Sequence, residues 1–197
     1  MLSGLVLKRL KKQLHFKFLL RWGIVSLVVG SLSGSASAIF LLLLKWAKNT
    51  REANHWLLFL LPLGGFAVAL SYRFWGKSVD RGNNLIIEEV QKPSKVISFL
   101  MAPLVLIGTI LTHVFGGSAG REGTAIQMGA SISDQLNFIG KFSDQERTIL
   151  LMCGMAAGFS SLFGTPLAGT VFALEVVFIG KLMYDGIVPV VLSAFIA

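Results

Sequence analysis

Charge is what this chain of 197 residues most lacks: Asp, Glu, Lys and Arg together make up 14% of it, against 54% hydrophobic residues. Soluble domains carry about 25% charged residues because a surface in contact with water needs them. With a mean hydropathy of +0.72, the chain cannot cover itself in water, and a membrane-embedded protein is expected. Cysteine is nearly absent too. The single Cys153 excludes an intramolecular disulfide and a thiolate metal cluster, and it leaves the redox compartment unspecified. Acids are scarcer than bases, 10 against 18, for a net charge of +8. In a soluble chain that balance points to nucleic acid. Here the basic residues gather at the ends of apolar runs instead of along one exposed face, so no nucleic-acid partner is expected.

The apolar runs set the organisation. Lys8, Arg9, Lys11, Lys12, Lys17 and Arg21 precede an uncharged run over 22–44 with no acid among them. A span needs about 20 apolar residues, and flanking Lys and Arg hold their side in the cytoplasm. Residues 1–21 therefore read as a basic cytoplasmic segment, and 22–197 as a multi-pass unit in the cell membrane. Ala36-Ser37-Ala38 imitates a signal-peptide cleavage site, but the apolar run resumes at Ile39. A second span is expected over 56–72, where Pro62 and Gly64-Gly65 are tolerable if neighbouring helices satisfy the freed backbone groups. A polar connection over 73–95 holds a possible short helix, 85–90; a third span, 96–115, and a short helix over 125–136 follow. The uncharged run 148–174 is too long for one upright helix and breaks at Gly164-Thr165-Pro166, so two helices are expected. The last stretch, 186–197, is apolar and shorter than a span. The fold class is all-α and polytopic, with broken and re-entrant helices. Gly30 with Gly34, and Gly154 with Gly158, are spaced to let helix backbones approach closely. Trp22, Trp46, Trp56 and Trp75 stand at span ends, as an aromatic belt would have them. Met128, Met152 and Met155 read as packing residues, and no metal or cofactor is expected.

An acid at membrane depth is costly and marks function by default. Glu122 is the clearest one, set in Gly120-Arg121-Glu122-Gly123-Thr124 directly after an apolar span and before a short helix. Glycines expose backbone N–H groups there, and the helix start aims its free donors and positive dipole end at the same place. That is an anion site by geometry, which an ionised Glu122 would occupy itself and vacate on protonation. A second turn, Gly82-Asn83-Asn84-Leu85, offers backbone N–H groups and the Asn83 amide, with ordinary Asn/Gly turn chemistry as the alternative. A third, Gly164-Thr165-Pro166-Leu167-Ala168-Gly169, has Pro near a new helix start, and transporters build sites from such discontinuous helices. Glu175 closes that run, buried or at the interface. His113 and Ser118 do not make a hydrolase pair, because a hydroxyl nucleophile needs its base on a facing element. No enzyme is expected.

The three turns in this order resemble those of the CLC family of anion channels and proton-coupled anion antiporters. Gly120-Arg121-Glu122-Gly123-Thr124 is similar to the family's G-R-E-G-P, Gly82-Asn83-Asn84-Leu85-Ile86 stands where the family has G-S-G-I-P, and Gly164-Thr165-Pro166-Leu167-Ala168-Gly169 resembles N-A-P-L-A-G. The resemblance runs along the whole chain but covers only the first of the family's two inverted halves. It implies halide transport, with Glu122 as gate and proton carrier. Gly82, Asn83, Asn84, Leu85, Gly120, Arg121, Gly123 and Thr124 are then the anion-binding positions. A homodimer in the lipid bilayer, with one pore in each subunit, is implied when both halves are present. Asn83 replaces the family's serine, and Ile86 and Thr124 replace prolines. Of the paired glutamates that chloride antiporters carry after the third turn, Glu175 matches the first and Val176 takes the place of the second. Keeping Glu122 while losing that inner acid is similar to the bacterial branch that exports fluoride in exchange for protons. The expectation is fluoride/proton antiport. A chloride channel or chloride/proton antiporter is the alternative within the fold, and a non-transporting membrane fragment or assembly partner is the alternative outside it.

Overall fold

The computed structural model describes residues 16–177 and 183–197. Lys8, Arg9, Lys11 and Lys12 lie outside them. Helix α1, Phe16–Ala53, is 38 residues long and already includes Lys17 and Arg21. The division at residue 21, drawn on charge, thus falls within a continuous helix. A 3-10 helix, His55–Leu60, leads into α2, Leu61–Trp75, where Pro62 sits in the first turn and forfeits no hydrogen bond. These two stretches are the ones long and apolar enough to cross a membrane among the described residues. Both show apolar side chains outward, Leu20, Ile24, Leu27 and Leu42 on α1 and Leu63, Phe66 and Phe74 on α2, as lipid-facing helices do.

Shorter helices complete the bundle: α3, Asn83–Gln91; α4, Met101–Val114; α5, Arg121–Asp134; α6, Asp144–Phe163; α7, Pro166–Glu175; and α8, Ile187–Ile196. No strand occurs among the described residues. Helix α6 is the hub, packed on α1, α5, α7 and α8. It begins where the sequence turns polar. The Ser143 hydroxyl accepts the Glu146 N–H while the Glu146 carboxylate accepts the Ser143 N–H at 2.9 Å, a reciprocal cap that satisfies two donors at once. It ends at Gly164, whose φ of 67° is a conformation that side chains disfavour. The chain reverses there, so the uncharged run is two helices, as expected.

The spaced glycines do what their spacing suggests. A side chain on Gly158 would run into the Ala125 carbonyl, one on Gly154 into the Gly129 carbonyl and Ser133, and one on Gly30 would meet Ile196 at 2.8 Å. Backbone contact between α5 and α6 is therefore possible only without a Cβ. Gly158→Val is expected to push the two helices apart at a cost of about 1–3 kcal/mol; loss of a monodisperse detergent-solubilised species at lower temperature than the parent checks it.

Two expectations need correction. Trp56 and Trp75 are exposed at helix ends and Trp46 is exposed about two turns inside α1, but Trp22 is 1% exposed and packs on Phe18 and Phe142. Because α1 starts earlier than charge indicated, Trp22 lies a turn and more inside it, facing the bundle. The third span is also shorter than 96–115, since helix starts only at Met101. Residues 94–97 stay out of helix because their backbone is committed elsewhere. The Arg147 guanidinium donates to both Asp134 oxygens at 2.8 Å, to Glu89 at 3.0 Å and to the Lys95 carbonyl at 2.6 Å. Asp134 also accepts the Ile97 N–H at 2.7 Å, and Glu89 accepts the Ser94 N–H at 2.8 Å. All three charged side chains are buried. Met128, Met152 and Met155 are core residues, as read from sequence.

Candidate anion and proton site

Helix α5 starts at Gly120, with no side-chain cap, and α3 starts at Gly82, again with none. The contrast is Ser143, which closes the start of α6. An uncapped start leaves the first N–H groups free for a ligand, and here Arg121, Glu122 and Gly123 supply them. The Gly82 φ of 53° turns the chain sharply enough to bring the α3 start against α5. The Asn83 amide nitrogen then lies 3.1 Å from where a Cβ on Gly123 would stand. Two turns far apart in sequence thus meet at one glycine.

Not every candidate residue has a donor to offer. The N–H of Asn84 is spent on the Arg81 carbonyl and that of Leu85 on the Gly82 carbonyl, each at 3.1 Å. The second turn's free donors are therefore on Asn83. Thr124 is buried, and its hydroxyl donates to the Gly120 carbonyl at 3.0 Å and meets the Thr109 hydroxyl at 2.7 Å. That hydroxyl fastens the start of α5 to α4 and does not face the opening. Glu122 is exposed, with Oε2 bent back to 3.5 Å from the Cβ position of Gly120, over the start of its own helix.

Glu122 opens into a cavity of about 770 Å³ lined by Lys45, Lys48, Arg51, His113, Ser118 and Arg121 among others. Several cations and one carboxylate share it, so the field there favours an anion. Lys48 has a nearby acid, Glu52 at 3.8 Å, and both are exposed, so the pairing takes little from that field. His113 Nδ1 is taken up by the Thr109 carbonyl at 2.8 Å. Neither the second turn, Gly123 nor the third turn is among the residues lining this cavity; Gly164 and Thr165 fold onto the Ser160 carbonyl. Glu175 and Val176 are exposed at the far end of α7. No group of His, Cys, Asp and Glu suited to a metal occurs among the described residues.

Sequence reading passed over Glu89, Asp134 and Arg147, taking the first as part of a polar loop. The signal that could have found them is that Asp134 and Arg147 are charges on either side of a short connection between two apolar helices. It also passed over Gln127, one helical turn beyond Gly123 on the same face.

The fold is an all-helical bundle with short broken helices, in which two helix starts without side-chain caps come together at Gly123. Residues 64–197 match the profile of the voltage gated chloride channel family, and the chain belongs to that family. It is 49% identical over 180 residues to a chloride/fluoride channel protein of Pseudomonas syringae pv. tomato, an alignment covering 91% of this chain and 40% of that protein. It is 28% identical to the voltage-gated ClC-type chloride channel ClcB of Escherichia coli, over 88% of this chain and 45% of the other. The crystal structure of a CLC-type fluoride/proton antiporter superposes with a TM-score of 0.87 at 39% identity, covering 92% of this chain and 46% of that one. The chain thus spans about half the length of the relatives it matches.

Proposed function

We propose that this chain forms the first half of a fluoride/proton antiporter of the cell membrane, with its N-terminus in the cytoplasm, working as a homodimer when both halves are present. The observation that carries the reading is the meeting of the Asn83 amide with the uncapped start of α5 at Gly123. Free N–H donors and a helix dipole attract an anion without a cation in direct contact, and a site of that strength also lets the ion leave. A small hard anion gains more from close N–H donors than a larger one does, and an amide offers two N–H donors where the serine it replaces has one O–H. Glu122 stands over the same donors. Ionised, its carboxylate competes with the anion for them; protonated, it withdraws and carries its proton. The similarity to a chloride/fluoride channel protein and to a fluoride/proton antiporter supports fluoride as the ion, as does Val176 where chloride antiporters carry an inner acid.

The test is efflux from proteoliposomes holding the complete protein and loaded with either halide, followed with ion-selective electrodes. Fluoride is expected to leave much faster than chloride. Asn83→Ser is expected to cut the fluoride-to-chloride ratio about tenfold, which corresponds to about 1.4 kcal/mol of discrimination. Equal rates for the two ions in the unmutated protein would assign it to chloride instead.

A further inference from the structure

One side chain lies beside both turns and has no part in the site described so far. On an α-helix, residues four apart lie on one face, so Gln127 follows Gly123 on the side of α5 turned toward α3. Its amide nitrogen lies 3.2 Å from where a Cβ on Gly82 would stand, and its amide carbon and oxygen both lie at 3.5 Å. Nearly equal distances from three atoms of one planar group mean that the amide turns a face to the space beside Gly82 that a side chain would fill. The same nitrogen is 3.9 Å from the Cβ position of Gly123, where the Asn83 nitrogen stands at 3.1 Å. Neither amide has a hydrogen-bond partner among the described residues. Gly82, with its φ of 53°, is the residue whose backbone sets the direction in which Asn83 leaves the turn. A side chain there would be strained in conformation and would also crowd Gln127.

The geometry points to Gln127 as a positioning residue for halide selectivity: its planar amide braces the Gly82 turn and so holds the Asn83 amide at Gly123. The inference rests on the reading of Asn83 as an anion donor given above. Gln127 acts through that donor by packing, and what matters is the flat group at that chain length, not its own N–H.

The experiment measures the fluoride-to-chloride efflux ratio and the proton uptake per fluoride in proteoliposomes of the complete protein. The variants are Asn83→Ser, Gln127→Met, Gln127→Glu and the double variant Asn83→Ser with Gln127→Met. Gln127→Met keeps the length and loses the planar group, and it is expected to lower the ratio about as far as Asn83→Ser does. Proton uptake per fluoride should hold, since Glu122 is untouched. The double variant should be no worse than the worse single variant, because both act through one amide. Gln127→Glu keeps the planar group and should hold the ratio within twofold of the parent while its charge slows flux. A parent-like ratio in Gln127→Met, or additive losses in the double variant, would overturn the inference. If Gln127→Met does not fold, Gln127→Glu decides alone: a ratio that collapses there makes Gln127 a direct N–H donor and overturns positioning. An unchanged ratio in Asn83→Ser removes the Asn83 reading itself and the inference with it. Loss confined to Asn83→Ser keeps the reading and removes only Gln127.

Discussion

Glu122→Gln in the complete protein is expected to reduce fluoride-driven proton uptake to the level of protein-free liposomes while a fluoride leak persists. The side chain keeps its length and loses its charge, so it imitates the protonated carboxyl at every pH. Glu122 Oε2 bends over the start of α5, where no side chain caps the first N–H groups. An anionic carboxylate is favoured there by the helix dipole; a neutral amide is favoured less and cannot release a proton. The competition that makes anion and proton alternate is thereby removed, so the anion path stays open and coupling is lost. The measurement is pH change in the bath of fluoride-loaded proteoliposomes, beside electrode-detected fluoride. Proton uptake at the parental rate in Glu122→Gln would falsify the role given to Glu122 while leaving the anion site in place.

Arg147→Met should be the most damaging single change to the fold. The guanidinium is 5% exposed and holds Asp134, which is fully buried, and Glu89. Removing it strands two buried carboxylates and frees the Lys95 carbonyl. Breaking a buried pair in this way costs about 3–5 kcal/mol, and the segment 94–97 loses part of what fixes it. The expected result is little monodisperse protein in detergent and a clearly lower thermal midpoint. Adding Asp134→Asn to Arg147→Met should restore part of the loss, because a neutral amide no longer needs the cation. Full stability of Arg147→Met would mean that the cluster is dispensable.

What was legible in the sequence was legible for local reasons. Composition alone established the membrane class, since 14% charge cannot solvate the surface of 197 residues. The uncharged runs gave the long helices, and Gly164 with Pro166 gave the reversal between α6 and α7, because those residues act on their own backbone. The spaced glycines foretold the backbone contacts of α1 with α8 and of α5 with α6, because close approach excludes a Cβ whatever the partner. Glu122 stood out because an acid between glycines beside an apolar span is costly to keep near lipid unless it has work to perform there.

The tertiary structure decided what depended on pairing. That the Asn83 amide comes beside Gly123, that Thr124 turns its hydroxyl to Thr109 and not to the opening, and that Gln127 comes beside Gly82 are all juxtapositions of elements distant in the chain. Trp22 went to the core instead of the membrane interface because α1 already runs through Phe16 and its buried face is chosen by α6. Arg147, Asp134 and Glu89 carry no mark of their pairing in the sequence, because a charge reveals its partner only when both have left water. Local chemistry therefore fixed which residues can offer a proton or an N–H. The packing of α3 against α5 fixed which of them share one site.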